Sequence, residues 1–321
     1  MKNLRSGQCR SSNGVDSLGS PRRSRASALM LMIWAIMLMS FTVGSTVKYI
    51  DFSVRESSLA ANRFRALHLA ESGAEVAFQN GVFASVDMEM PVTGTDSSIT
   101  FRTDVEEAKL PVNYVTDERA KESIYSIFII WGLNAEDATT AADSLADWVD
   151  NDSDVRPQGA ESEYYQQFGI FNLPRQQPFS SIEELLLVRG FDKVAKAKPE
   201  WRDYFTIHSV GTVYIRSASK DVLMAVTGCS DADAANFIAE RNGEDGLART
   251  SDDSRMSVSQ ALQRLNVGAD RYAAVSAILT EQYETRVAES IGRVGLLQVK
   301  LTLIGRRQDD GAITFIGRYE E

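Results

Sequence analysis

The sequence predicts an α+β fold: one long N-terminal helix, a small antiparallel sheet built from strands near both ends of the body, and a block of helices between those strands. Three observations carry the prediction. Ala26–Val47 holds no charged residue and Ala26–Phe83 holds no proline, so nothing interrupts a helix there. Apolar and polar residues partly alternate at Ser98–Val105 and again after residue 290, the period of a half-buried strand. Between them, apolar residues recur at helical spacing. Strands so far apart in sequence must meet to bury their apolar faces, which makes the middle an insertion.

The uncharged run ASALMLMIWAIMLMSFTVGSTV is 22 residues long. At about 1.5 Å per residue it crosses the hydrocarbon core of a bilayer. It exceeds a signal-peptide core of roughly 7–15 residues. No clear cleavage site precedes Lys48, although Gly44 and Ser45 keep a cleaved signal in view as the rival reading. Six bases and one acid in residues 1–25 give a net +5 against −15 for the rest, so the leader stays cytoplasmic and the acidic body is exported.

The helix does not stop at the membrane. Leu59, Phe64, Leu67, Ala70, Ala74, Ala77 and Phe78 fall near 3.6-residue spacing, which extends one helix to about 55 residues and ~80 Å. A strand follows at Ser98–Val105, then Lys109–Asn113 (KLPVN), then helices over Ile124–Trp131 and Asn134–Val149. Val210–Val226 reads as a strand and turn before a helix. Thr227–Gly243 is a turn with an Asp231 or Asp233 cap and a helix bearing Ala235, Phe237 and Ile238. Residues 244–256 read as loop, Ser257–Tyr283 as helix, and Val294–Ile304 with Ile313–Tyr319 as a hairpin around Gln308–Gly311.

Composition bounds the function. The chain has 321 residues, 44% apolar, with 14 Phe, 10 Tyr and 4 Trp, enough core for one or two domains. So acidic a body repels phosphate backbones, and no nucleic acid is expected as a partner. Cys9 and Cys229 fall on opposite sides of the membrane segment and cannot pair across it. With His68 and His208 as the two histidines, a histidine metal site or a Ser-His-Asp triad is hard to assemble. No Gly-rich nucleotide loop, H-E-x-x-H or G-x-S-x-G occurs, and no catalysis is expected.

Several segments together resemble one family. RSRASAL ahead of the apolar run, RALHLAESGAEVAF on the continuing helix, KLPVN, ADSLADWVDNDSDVRPQGAESEYY at Ala142–Tyr165 and FSSIEELLLVRGF at Phe179–Phe191 are similar to elements of the general secretion pathway protein K family, the large minor pseudopilin of type II secretion. The likeness runs from Arg25 to about Asn242 and departs at Tyr214–Ser217, where the family has Asn-x-Asn-Thr. It implies a pilin-like sheet interrupted by a large helical insertion of two SAM-like bundles. The division is then a leader (1–26), a membrane helix continuing as an amphipathic one (27–84), a sheet (85–108 with 288–321) and two helical domains (109–218 and 219–287).

The resemblance also implies a place and partners. Prepilin peptidase would cut between Ala26 and Ser27, with Ala26 standing where the family has Gly. Leu31, the fifth residue after that cut, occupies the position where most pilin-like subunits carry Glu. A filament-tip subunit has no neighbour above it for such a Glu to pair with, so its absence fits the tip. The expected role is structural, in protein export across the outer membrane: a single-pass inner-membrane protein with its body in the periplasm. The implied partners are other minor pseudopilins, the major pseudopilin and the peptidase. Leu59, Phe64 and Leu67 are expected to contribute to the seam between subunits.

One cation site is legible. Asp150, Asp152 and Asp154 are spaced like the early ligands of an oxygen-donor loop, and with Asp150 first, Glu161 is twelfth. Val155 takes the place of the usual sixth-position Gly, with Arg156 and Pro157 after it. The resemblance, which includes calcium-binding members, adds Ca²⁺; the plainer reading is a solvated acidic loop capping a helix. The alternative function is a membrane-anchored, helix-hairpin-helix-like binding protein of a type IV pilus or DNA-uptake system, suggested by LLLVRGFDKV and LMAVTGCSDADAANFIAER. Both lack the second Gly that lets such a turn grip phosphate, and Asp231 and Asp233 flank the latter.

Overall fold

The computed structural model describes residues 22–79, 87–93, 95–250, 252–308 and 310–321, without the side chains of residues 22–26. The leader 1–21, Cys9, the side chain of Ala26 and residues 80–86 at the expected helix end lie outside them. The chain divides into two compact units, Met1–Ala61 and Asn62–Glu321.

Helix α1 spans Arg22–Phe78. In the first unit every residue of 27–61 is exposed, Trp34, Met37 and Phe41 among them. The Thr42 and Thr46 hydroxyls donate to the Met39 and Thr42 carbonyls at 2.8 Å, so these polar groups are satisfied inside the helix. A helix apolar on every side, with its polar groups satisfied internally, suits a bilayer, and this one is long enough to be a membrane anchor.

In the second unit, strands β1 (Met88–Pro91), β2 (Ser97–Val105), β3 (Thr285–Val294), β4 (Leu297–Arg307) and β5 (Ile313–Glu320) form an antiparallel sheet in that order. Neighbours follow in sequence except between β2 and β3, where Val105 lies opposite Arg286. The insertion between β2 and β3 therefore leaves and re-enters the sheet at one place. The last turns of α1 cover one face. Ala70, Ala74, Ala77 and Phe78 pack with Ile99, Phe101, Ala288 and Leu301.

That contact is built from small residues. A Cβ added at Gly292 would lie 1.9 Å from the Ala66 carbonyl oxygen, and one at Gly73 would lie 2.3 Å from Ser290 Oγ and 2.4 Å from Ile99 Cγ2. Only glycine permits so close an approach of helix and strand. Glu71 on the helix accepts from Arg318 on β5 at 2.7 Å, which holds its carboxyl below the usual range.

The sheet departs from the sequence expectation at one hairpin. Val294–Ile304 is not one strand: β3 ends at Val294, Gly295 turns with φ +59°, Leu296 projects fully into solvent, and β4 begins at Leu297. Most of β3 escapes a pattern reading because its buried positions include Ala288, Ser290 and Gly292, small residues chosen by the helix above rather than by hydrophobicity. The expected turn at Gln308–Gly311 forms, with Gln308 N–H donating to Ala312 O at 2.8 Å.

The insertion is helical. It contains α2 (Glu118–Ile130), α3 (Ala135–Val149), α4 (Ser162–Gln166), α5 (Phe191–Ala197), α6 (Lys220–Thr227), α7 (Asp231–Arg241), α8 (Val258–Arg264) and α9 (Ala269–Ile278). Side chains of Asp117, Asn134, Ser219, Ser230 and Ser257 cap five of these. The cap of α7 is thus Ser230, not Asp231 or Asp233; serine precedes the first helical residue, while the two acids sit in the first turn and favour its dipole. The helix expected over Ser257–Tyr283 is broken after Leu265, where Asn266 adopts φ +54°, and ends at Ile278.

One contiguous apolar core runs from Leu110 to Leu279, with Trp148, Trp201, Phe128 and Phe191 fully buried. Asn113 ties three segments across it: it donates to Phe179 O and Ile207 O at 3.2 Å and accepts from Phe179 N–H at 2.7 Å. Glu107 joins insertion to sheet, accepting from Thr285 N–H at 3.1 Å, and burial pushes its carboxyl up.

Candidate functional site

The Ala142–Tyr165 segment folds as the C-terminal half of α3 followed by a loop that returns over the helix end. Trp148 anchors it, stacked on Phe179 at 5.6 Å and edge-on to Tyr165 at 5.9 Å. Asp143 and Asp147 lie one turn apart on α3. Asp143 accepts from Gln158 N–H at 3.3 Å, and Asp147 from Arg156 N–H at 3.3 Å and its guanidinium at 2.6 Å. Gly159 passes so close that a Cβ there would lie 1.8 Å from Asp147 Oδ2. Arg189 reaches across to Gly159 O at 2.8 Å and lies over the Tyr164 ring at 4.7 Å, while Gly190, at φ +81°, opens α5. The motif residues thus hold the return loop in place.

The same construction gathers carboxylates. Ligand oxygens of Asp150, Asp152 and Glu161 all lie within 4.8 Å of one another. Asp154 is not in this group; it is exposed and its N–H is turned onto Asp152 Oδ1 at 2.9 Å. The buried Glu161 carboxylate has neither oxygen hydrogen-bonded, and Asp150 Oδ1 is likewise unpartnered. Burial, and then the charges of Asp147 and Asp150, raise Glu161 to about 7. Burial also raises the fully buried Asp147, against the pull of Arg156.

Arg156 is the local counter-charge. It pairs with both Asp147 and Asp150, which hold its guanidinium above its ordinary value although burial opposes this. One guanidinium facing Asp147, Asp150, Asp152 and Glu161 leaves negative charge uncompensated, at the C-terminal end of α3 where the helix dipole is itself negative. A hard cation that takes oxygen ligands matches this donor set. Asp147 and Arg156 were missed in the sequence because the loop pattern starts at Asp150. The three-residue spacing of Asp147 and Asp150 on one helix face was the available signal.

The other sequence-selected residues lie apart from this loop. Ser27 is exposed on α1, as are Leu59 and Phe64; Leu67 is half-buried and outside the small-residue stripe. Phe64 lines an open groove of about 680 Å³ with Leu69, Val92 and Val294. His68 meets Glu71 at 3.0 Å. Both expected helix–turn–helix pairs form, at Gly190 and Gly228, each in the left-handed conformation. Arg271 lies over Gly228, its Nη1 1.8 Å from where a Cβ there would be. Cys229 is half-buried, and burial pushes its thiol up, away from nucleophilic character.

Residues 107–199, which hold α2, α3, the acidic loop and Arg189–Gly190, match the family model for protein K of the type II secretion system. These residues therefore form a domain similar to that of protein K of the type II secretion system. Among solved structures, 5 chains match. One, from the crystal structure of the GspK-GspI-GspJ complex of the enterotoxigenic Escherichia coli type 2 secretion system, has a TM-score of 0.64 and 16% identity, covering 84% of this chain and 98% of that one. At that identity the likeness is one of fold. No curated protein sequence matches the chain. The protein K signature is therefore, in this chain, the set of residues that closes the loop over α3.

Proposed function

We propose that this chain is a minor pseudopilin of type II secretion, that it sits at the tip of the periplasmic pseudopilus and that it acts there as a structural, non-catalytic component of protein export. The observation that carries the reading is a protein K-like domain inserted between two paired strands inside a small antiparallel sheet, on a chain with an exposed apolar helix near its N-terminus. The helix anchors the subunit in the inner membrane before assembly and enters the filament core afterwards. The insertion, which occupies residues 106–284, is the bulk that would end the filament. Leu31 in place of an acid supports a subunit with no neighbour above it. Other minor pseudopilins are the partners of this reading, as the solved complex joins GspK to GspI and GspJ; the major pseudopilin and prepilin peptidase complete the set.

The loop after α3 would hold Ca²⁺ through Asp150, Asp152 and Glu161, and the unpartnered oxygens of Glu161 and Asp150 support this. Its task there is to stiffen a loop whose own charges repel one another. Leu59 and Phe64, large and uncovered, would join Leu67 in the seam with neighbouring subunits.

Co-expression with prepilin peptidase and the other minor subunits, followed by intact mass, N-terminal sequencing and co-purification, tests the assignment. The expected result is loss of residues 1–26, a methylated Ser27 and recovery in one complex. An uncut chain, or one cut after the apolar run, overturns it.

A further inference from the structure

We infer that a second pocket, in the later half of the insertion, is a binding site for a single carboxylate. It lies where the loop before α8 meets the edge of the sheet, has a volume of about 200 Å³, and its lining includes Arg216, Arg249, Arg255, Asp253, Tyr214 and Tyr283. Three guanidiniums around one small pocket are unexpected in so acidic a body.

Arg249 is fixed from behind. Its Nη2 donates to Thr103 O at 2.7 Å on β2 and lies 3.4 Å from Asp104, while its own N–H donates to Asp253 at 2.5 Å. Its Nε and Nη1 are buried and have no hydrogen-bond acceptor, and Arg216 Nε is in the same position. Buried donors of this kind are normally paired, so three on two neighbouring guanidiniums call for an acceptor that arrives from outside the chain.

Charge and shape select the ligand. Beneath the pocket Arg241 donates to the Ile215 and Ala218 carbonyls, and burial, with Arg249 close by, lowers it to about 10. Asp253, Asp104 and Glu281, the last 3.9 Å from Arg216, lie against these guanidiniums, and Asp252 accepts from the lining Thr250 hydroxyl at 2.7 Å. None of these acids meets the three unpartnered nitrogens, which one carboxylate would satisfy. A guanidinium fork matches the plane of a carboxylate in bidentate fashion. Tyr214 and Tyr283, edge-to-face at 5.3 Å, form a wall for the carbon attached to it. The volume suits one acidic side chain, a chain terminus or a small organic acid.

The full chain, purified in detergent, would be titrated with succinate and separately with the blocked dipeptide acetyl-Glu-Glu-amide, at constant ionic strength in chloride. The same titrations would be run on the double variant Arg216→Gln/Arg255→Gln, whose ligand-free melting temperature serves as the folding check. Both side chains reach the pocket without anchoring β2, so folding should survive. Saturable binding of either probe, weakened at least tenfold in the double variant, supports the site. Succinate binding alone assigns it to a free acid, and dipeptide binding alone to a neighbouring polypeptide. Absence of binding by both probes, or binding unchanged in the folded double variant, overturns the proposal. If the double variant unfolds, Arg255→Gln alone, on the exposed rim, decides by the same criterion.

Discussion

The two stretches of α1 share a backbone and differ in what they bury. Residues 27–61 carry Leu, Ile, Met, Trp and Phe and bury none of them; residues 62–78 bury Ala66, Ala70, Gly73, Ala74 and Ala77, with Phe78 the one large side chain buried at the last turn, and leave Phe64 outside. Large apolar residues mark the stretch that nothing in the chain covers among the described residues. Small ones mark the stretch pressed onto a sheet. Apolar content alone therefore does not locate the core of this helix; side-chain volume does.

The sharpest way to break this comparison is to add volume at matched glycines. Gly292→Val would drive a side chain into the Ala66 carbonyl and should cost about 3 kcal/mol or more, a fall in melting temperature of roughly 6–12 °C. Gly44→Val, where no atom lies within 4 Å of the added Cβ, should leave melting unchanged. Equal losses by differential scanning calorimetry would mean that the two stretches are packed alike.

A second test asks what burial does to a charge instead of a methyl group. Glu161 ionises near its ordinary value in the unfolded chain but at about 7 when folded. Between these values the native state keeps a proton that the unfolded chain has lost, so stability falls as pH rises through roughly 4.5–7 and the loss is complete above 7. In chelator, Glu161→Gln should stabilise the chain on the order of 2 kcal/mol at pH 8 and not at pH 4. Ca²⁺ should raise the wild-type melting temperature most at pH 8 and do so far less in Asp152→Ala. A calcium shift that survives Asp152→Ala and Glu161→Gln unchanged would refute the site.

The smallest effect on stability is expected on the uncovered face. Leu59→Arg and Phe64→Glu should each change the stability of the isolated chain by less than about 0.5 kcal/mol. Their effect should appear in co-purification with the other minor subunits, reduced severalfold or more. Intact co-purification would remove these residues from the seam.

The sequence makes the long apolar helix, β2, α2, α3 and the Asp-Trp-x-Asp loop readable because each has a long uncharged run, a strong period or a fixed spacing of charged and aromatic residues. It hides β3 because the residues facing α1 are Ala288, Ser290 and Gly292, whose selection reflects a neighbour distant in sequence. At the acidic loop, Asp150, Asp152 and Glu161 were readable from spacing. The exclusion of Asp154 and the inclusion of Asp147 and Arg156 were not, since both follow from which way the chain turns after Val149. The arginine pocket left no local signature, as Arg216, Arg249 and Arg255 come together only when three separate segments fold.

The pairing of Val105 with Arg286 has a further consequence. A segment whose two ends are already strand partners imposes no strain on the sheet, whatever its length, and a two-residue hairpin turn would close the same gap. The inserted module can therefore change in length while β2 and β3 keep their register. The helix-covered sheet and the helical module are then two separable pieces, joined where those two strands meet.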